Sequence, residues 1–295
     1  MGPGGFWTLR AAGPERRRRQ ARLDHTPHVK TEGRLPVAGA DLYYEVEGRG
    51  PAVLLVHGFS LDGRMWDEQV VTLRDVATVV RCDLRGFGRS SEPSAGIPYT
   101  HSADLLALLD RLGIDSAVFV GLSMGGRVVL ETALVAPERV RGLVLLDSVL
   151  NGVEWDAASE QGMEDAERAA TTEGMSAARV IWLRHPLFAP ACRDAQLARR
   201  LAALVEPYSG FHWTHEDPQA RTDPDPIAML EQIGAPTTVV VGELDVPCFL
   251  TMADLLARRI PSAQRIDVPD SGHMVNLEAP DTVNALLRKA ILAQP

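Results

Sequence analysis

The chain has 295 residues, 45% of them hydrophobic, and a formal net charge of −9. That length suits one large α/β unit with an ample core, and no apolar run reaches the roughly 18–20 residues that a membrane span needs. Residues 1–30 hold seven Lys/Arg and two Asp/Glu, which leaves the remainder at −14, an acidic body that argues against nucleic acid as a partner.

The first element in chain order is a tail. Residues 1–34 are basic, lack apolar periodicity and read as disordered. Arg16–Arg19 is followed by polar residues, so no signal peptide is expected. The folded part is expected from Leu35, where Leu42, Tyr44 and Val46 alternate as in an edge strand or hairpin. AVLLVHG (Ala52–Gly58) is a continuous apolar run ending in glycine, the pattern of a strand buried on both faces, and ATVVRCDLRG (Ala77–Gly86) repeats it. In HSADLLALLDRLGI, Leu105, Leu108, Leu109 and Leu112 share one helical face, and Gly113 stops the helix. A strand (SAVFVG), a helix (MGGRVVLETALVA) ended by Pro137, and a strand (VRGLVLLDS) follow. Further on come TTVVVGELD, the helix FLTMADLLARRI, AQRIDVPDSGH and the final helix DTVNALLRKAIL. Strands alternating with helices predict a mostly parallel sheet with helices on both faces.

One region breaks the alternation. Between about Leu150 and Pro226 the patterns are helical, with Leu197, Leu201, Leu204 and Val205 on one face, and there is no strand signal. Residues 151–175 hold seven acids and one base, as a solvated helix surface would. Glu216–Pro226, rich in Asp and Pro, reads as the hinge back to the sheet. The expected organisation is a tail (1–34), an α/β core (35–149 and 227–295) and an all-helical insertion (150–226).

The stretch VFVGLSMGGRVVLE (Val118–Glu131) carries the chemistry. A strand, then Gly-x-Ser-x-Gly, then a helix is the context of a nucleophile elbow, in which Ser123 stands at the apex of a strained turn. A Cβ on Gly121 or Gly125 would clash there, and Gly126 lets the helix approach the sheet. The first turn of that helix aims N–H groups and its positive dipole end at the serine oxygen. A phosphate loop would need a Gly-Lys-Ser/Thr ending, and a dinucleotide site Gly-x-Gly-x-x-Gly; neither is present.

With these motifs the chain resembles α/β-hydrolase-fold proteins of the cap-bearing esterase, lactonase and C–C hydrolase group, over about Leu35 to Ala293. The resemblance rests on HGFS (His57–Ser60), DLRGFGRS (Asp83–Ser90), GLSMGG (Gly121–Gly126), and GELD followed by SGH, in that order. In overall look it is most similar to 3-oxoadipate enol-lactonase-like hydrolases. A serine needs a base, and the base an orienting group; the order in this fold is Ser, acid, His. Of eight histidines, His273 alone follows the last expected strand, in a Gly-flanked loop, and is the expected general base. The resemblance implies the acid at Asp245. Asp147, after the preceding core strand, and Glu243 are alternatives, and Asp270 reads as a turn residue. It also implies the backbone N–H groups of Phe59 and Met124 as oxyanion donors.

His57 is expected to brace its loop, and Asp83, Arg85 and Ser90 to tie down theirs. Cys248 reads as a packed thiol. The insertion would sit above Ser123 as a cap, with Trp182, Phe211, His212 and Trp213 lining the pocket. No metal cluster or cofactor requirement is visible, and three scattered cysteines suit a reducing cytoplasm. The expected function is serine-dependent cleavage of a small ester or lactone. The alternatives are a C–C hydrolase of β-diketones, a cofactor-free haloperoxidase or perhydrolase, and a receptor-like relative with little turnover. Neither the oligomeric state nor the pathway is legible.

Overall fold

The computed structural model describes residues 30–220 and 225–293. The tail expectation for residues 1–29 and part of the expected hinge, 221–224, lie outside the described residues. Order begins earlier than Leu35: β1 (Thr31–Val37) pairs antiparallel with β2 (Ala40–Gly48) as a hairpin, so the first strand starts four residues before Leu35, and the alternation at Leu42, Tyr44 and Val46 lies in its partner.

Among the described residues, eight strands form one sheet in the order β1-β2-β4-β3-β5-β6-β7-β8. The added strands are β3 (Ala52–Val56), β4 (Thr78–Cys82), β5 (Ala117–Leu122), β6 (Val140–Leu146), β7 (Thr237–Gly242) and β8 (Ala263–Val268). From β4 through β8 every pairing is parallel, while β1 and β2 add antiparallel at one edge. The six residues of β5 are all buried, as are Val53–Val56 of β3, because helices cover both faces. Each fully buried aliphatic side chain there contributes about 1.5–3 kcal/mol relative to exposure.

The core helices are α1 (Asp67–Leu73), α2 (His101–Leu112), α3 (Met124–Val135), α8 (Pro247–Arg259), α9 (Val275–Glu278) and α10 (Pro280–Leu292), and the intervening numbers belong to the insertion described next. α2 starts on Thr100, whose hydroxyl accepts the Ala103 N–H. It ends at Gly113 with φ of 67°, the left-handed turn that glycine supplies without a Cβ penalty.

Between β6 and β7 the described residues form helices and no strand: α4 (Ala157–Thr172), α5 (Met175–Trp182), α6 (Ala195–Val205) and α7 (Phe211–Thr214), with short 3-10 turns. On α4, Ala166, Ala169 and Ala170 face inward while Glu160, Glu164 and Glu167 are exposed, so its acidic residues do face solvent. α6 buries Leu201, Leu204 and Val205, and the Asp194 carboxylate caps its first turn. Gln219 bridges to Tyr99 just before the return, which pins the end of the insertion to the core.

Candidate active site

β3 and β5 are neighbours, and the chain runs from β3 to β4 on one side and from β5 to β6 on the other. Open α/β sheets place ligands at the carboxyl ends of strands at such a switch point. Two of the expected loops lie there, His57–Ser60 after β3 and Ser123 after β5.

Ser123 has φ of 55° and ψ of −117°, a conformation that L residues rarely adopt. It is held by its neighbours. Its N–H donates to Leu146 O at 2.9 Å, and its carbonyl accepts from Val149 N at 3.1 Å. A Cβ on Gly121 would run into the Gly125 carbonyl, and one on Gly125 into the Val56 carbonyl, so both glycines are required by close approach. One on Gly126 would meet Ser148, just beyond β6.

His273 follows β8 and lines the same cavity as Ser123. Its Nδ1 lies 2.9 Å from Asp245 Oδ2, and both side chains are buried. A carboxylate can only accept here, so the proton sits on Nδ1 and Nε2 is left with its lone pair. Phe249 packs edge-on against the imidazole at 4.3 Å. Asp245 Oδ1 accepts the Val246 N–H at 2.7 Å. Glu243 is exposed, and Asp270 sits in a turn with φ of 56°.

One residue that sequence reasoning missed is Glu278. Its carboxylate accepts the N–H groups of Gly272 and Met274 at 3.0 Å each, clasping the backbone on both sides of His273. Burial holds its carboxyl above the ordinary range, against those two hydrogen bonds. The only sequence signal was an acid five residues after the histidine.

The loop after β3 is braced by His57. Its Nε2 accepts from Leu84 N at 2.9 Å, so Nδ1 carries the proton and donates to Gly58 O at 2.8 Å. Burial lowers the pKa of this imidazole, which favours the neutral form that those two bonds require. Asp83 accepts from Gly63 N and Arg89 N, both at 2.8 Å, and Arg85 forks onto Asp104 at 2.6 Å twice. Ser90 ties Tyr43 N to Asp83 O. These residues hold the loops, as the sequence reading expected. Cys248 is buried, and burial pushes its thiol up to about 11.

Ser123, His273, Phe59 and Met124 all border a cavity of about 330 Å³. The insertion roofs it with Trp155, Met163, Trp182, Leu187, Phe188 and His212. Trp182 and His212 are thus where the sequence placed them. Phe211 and Trp213 are not, and that expectation is corrected. Trp213 stands behind the wall, 4.9 Å from Tyr208 and 6.1 Å from Trp182, and Phe211 stacks on His215 at 5.1 Å. On a short helix, neighbouring aromatic residues point in different directions, and here His212 is the one aimed inward. Trp182 also donates from Nε1 to Ser60 Oγ at 2.6 Å, which joins the roof to the loop that carries Phe59.

Asp147, Asp245 and His273 each offer a donor atom within 4.8 Å of the others, the spacing of a metal cluster. Their atoms are largely engaged already: Nδ1 of His273 with Asp245, Asp245 Oδ1 with Val246, and Asp147 Oδ1 with the Gly242 N–H at 2.9 Å. The set therefore reads as a hydrogen-bonded cluster. Among the described residues no helix is long and apolar enough to cross a membrane.

Comparison with known proteins agrees with this architecture. Residues 51–173 match the family described as alpha/beta hydrolase fold. A protein of Synechocystis sp. that carries the provisional name non-heme chloroperoxidase is 31% identical over 276 residues, covering 88% of this chain and 98% of that protein. A thermophilic esterase from Thermogutta terrifontis is 30% identical with a TM-score of 0.72, over 89% of this chain and 97% of the other. The enol-lactonase from Burkholderia xenovorans is 25% identical with a TM-score of 0.75, over 88% and 100%.

Proposed function

The chain belongs to the α/β-hydrolase family, and from that premise we propose that it cleaves a small carboxylic ester or lactone through an acyl-enzyme formed on Ser123. The observation that carries the reading is the convergence on one cavity of a serine at φ 55° and an imidazole whose Nδ1 lies 2.9 Å from a buried aspartate. The order Ser123, Asp245, His273 is the order of the triad on this fold. The esterase and enol-lactonase among the similar structures support the same chemistry.

In this mechanism His273 Nε2 takes the Ser123 proton as Oγ attacks the carbonyl carbon. Asp245 holds the tautomer and stabilises the imidazolium. The N–H groups of Met124 and Phe59 receive the oxyanion, each worth about 3 kcal/mol in the transition state. His273 then protonates the leaving alkoxide. In a lactone that alkoxide stays tethered to the acyl group. Water, deprotonated by His273, releases the acid. The described residues of the 150–226 insertion act as the cap, and their apolar wall selects the acyl group.

The experiment is a fluorophosphonate probe combined with a panel of p-nitrophenyl esters and γ- to δ-lactones. Labelling at Ser123, turnover on some part of the panel, and loss of both in Ser123→Ala are expected. Labelling without turnover on any ester or lactone would favour the receptor-like reading, and unchanged turnover in Ser123→Ala would end the serine mechanism.

A further inference from the structure

Asp147 closes β6 at the bottom of the site, and the triad as described gives it no task. Among the described residues it is one of four non-glycine residues with positive φ, at 41°, and it is 1% exposed. Its Oδ1 accepts the Gly242 N–H, whereas Oδ2 is fully buried with no hydrogen-bond partner. The Asp245 carboxylate and His273 lie within 4.8 Å. We propose that Asp147 is a positioning residue that stays in its carboxylic-acid form in the resting enzyme and donates from Oδ2 to Asp245, fixing Asp245 as the ionised partner of His273.

The argument starts from charge. Two carboxylates this close in a dry site do not both ionise. Hydrogen bonds to the charged form decide which one does. Asp245 receives two, from Val246 N–H and His273 Nδ1–H, and Asp147 receives one. The proton therefore rests on Asp147, and the only atom free to carry it is Oδ2. A carboxylic acid there turns an orphaned acceptor into a donor, and the Asp245 carboxylate, within 4.8 Å, is an anionic acceptor beside it. The groups that face Asp147 agree. Burial first, then the charges of Asp245 and Glu278, hold its carboxyl well above the ordinary range, against the Gly242 hydrogen bond, and His273 completes the cluster. A donor on Asp245 draws off part of its basicity. His273 thereby keeps its proton on Nδ1 without becoming too strong a base to release one to the leaving group.

The inference rests on the triad reading, so its test has a readout that needs no turnover: titration of the His273 imidazole by NMR, in wild type, Asp147→Asn and Asp147→Ala. Asn is a neutral isostere that retains a donor. It should leave the midpoint within about 0.3 unit of wild type. Ala removes the donor, leaves Asp245 more basic, and should raise the midpoint by about one unit. The acid limb of kcat/KM should follow the same pattern. Infrared difference between wild type and Asp147→Asn should show a protonated carboxyl band near neutral pH, a readout on the wild-type side that does not depend on either variant being active. A midpoint lowered by a unit or more in Asn would mean that an anion had been removed, and would overturn the proposal. So would an Ala variant that is less active with an unmoved midpoint, or the absence of the protonated band. If the ester and lactone panel shows no turnover, the NMR and infrared results still decide the proton's place.

Discussion

The loops at the strand ends and the helical roof above them are built by different means. In the loops, backbone and polar side chains fix one another: His57 holds Gly58 and Leu84, Asp83 holds Gly63 and Arg89, and Glu278 clasps both sides of His273. In the roof, apolar contact does the work. Phe59 is met edge-on by Trp182, Tyr208 and His212, Phe188 meets Trp182 at 5.4 Å, and Trp213 is buried with its Nε1 unpartnered. Directional bonds specify a geometry to a few tenths of an ångström, whereas apolar packing specifies a volume. Under the proposed function, the loops would carry the chemistry and the roof the selection among substrates. Substitutions in the two regions should differ in kind as well as in size.

The largest effect belongs to the loops. Asp245→Asn keeps the shape of the site but favours the wrong imidazole tautomer, and should lower kcat by about three to four orders of magnitude on every substrate of the panel. Steady-state kinetics across the ester series checks this. A loss confined to long acyl chains would place Asp245 in the wall and erase the division between the two regions.

The same division explains what the sequence disclosed. The turn at Ser123 was legible because a backbone requirement writes itself into a short string: Gly121 and Gly125 are demanded by contacts with neighbouring carbonyls. His273 was singled out by its place after the last expected strand, and Asp245 only by the family resemblance. The parallel strands were legible because burial on both faces leaves unbroken apolar runs. α1 was not singled out, for DEQVVTL is short and its cap, Trp66, makes no side-chain hydrogen bond. Glu278 escaped because its role lies in two backbone N–H groups brought to it by a turn. Of the residues expected in the pocket, Trp182 and His212 line the cavity while Phe211 and Trp213 do not. Aromatic composition marks an apolar neighbourhood, and only tertiary packing decides which ring faces the cavity.

In the roof the effects should be selective. Phe188 lines the cavity, so Phe188→Ala should enlarge it and shift kcat/KM towards octanoyl over acetyl esters by roughly 1–3 kcal/mol. Trp213 lies behind the wall, so Trp213→Ala should cost about 3–5 kcal/mol of stability in denaturant unfolding and leave the ratio of chain lengths nearly unchanged. If Trp213→Ala altered selectivity as much as Phe188→Ala does, the wall would have to be redrawn. Trp182 joins the two regions through its hydrogen bond to Ser60. Trp182→Phe keeps most of the ring and loses that donor, at about 1–3 kcal/mol for the buried hydroxyl left behind. Because Ser60 adjoins Phe59, kcat should fall about tenfold for short and long esters alike, and a change in KM alone would show that the bond serves the roof and not the proposed oxyanion role of Phe59.

The smallest expected effect concerns pH and the ring that reaches from the roof to the core. His212 stacks on Phe87 at 4.5 Å, and its Nδ1 is 3.1 Å from the Tyr208 hydroxyl. Burial lowers its pKa to about 4, although Asp217 and Glu92 pull the other way. In the unfolded chain the imidazole titrates near its ordinary value of about 6.5. Between those two values the unfolded chain binds a proton that the folded chain refuses, so stability rises with pH in this window. The contribution is complete above about 6.5 and is lost as pH falls toward about 4, at no more than ~1.4 kcal/mol per unit. His57, His101 and His185 are lowered by burial as well and act in the same direction. The raised carboxyls of Asp104 and Glu278 act in the opposite one, since the folded chain holds their protons longer as pH rises. A single-site difference separates them. Urea unfolding of wild type and His212→Gln at about pH 7 and about pH 5 should show the wild type losing on the order of 1–2 kcal/mol more than the variant. Equal losses would mean that this imidazole is solvated in the native state, and that the roof is open where the packing closes it.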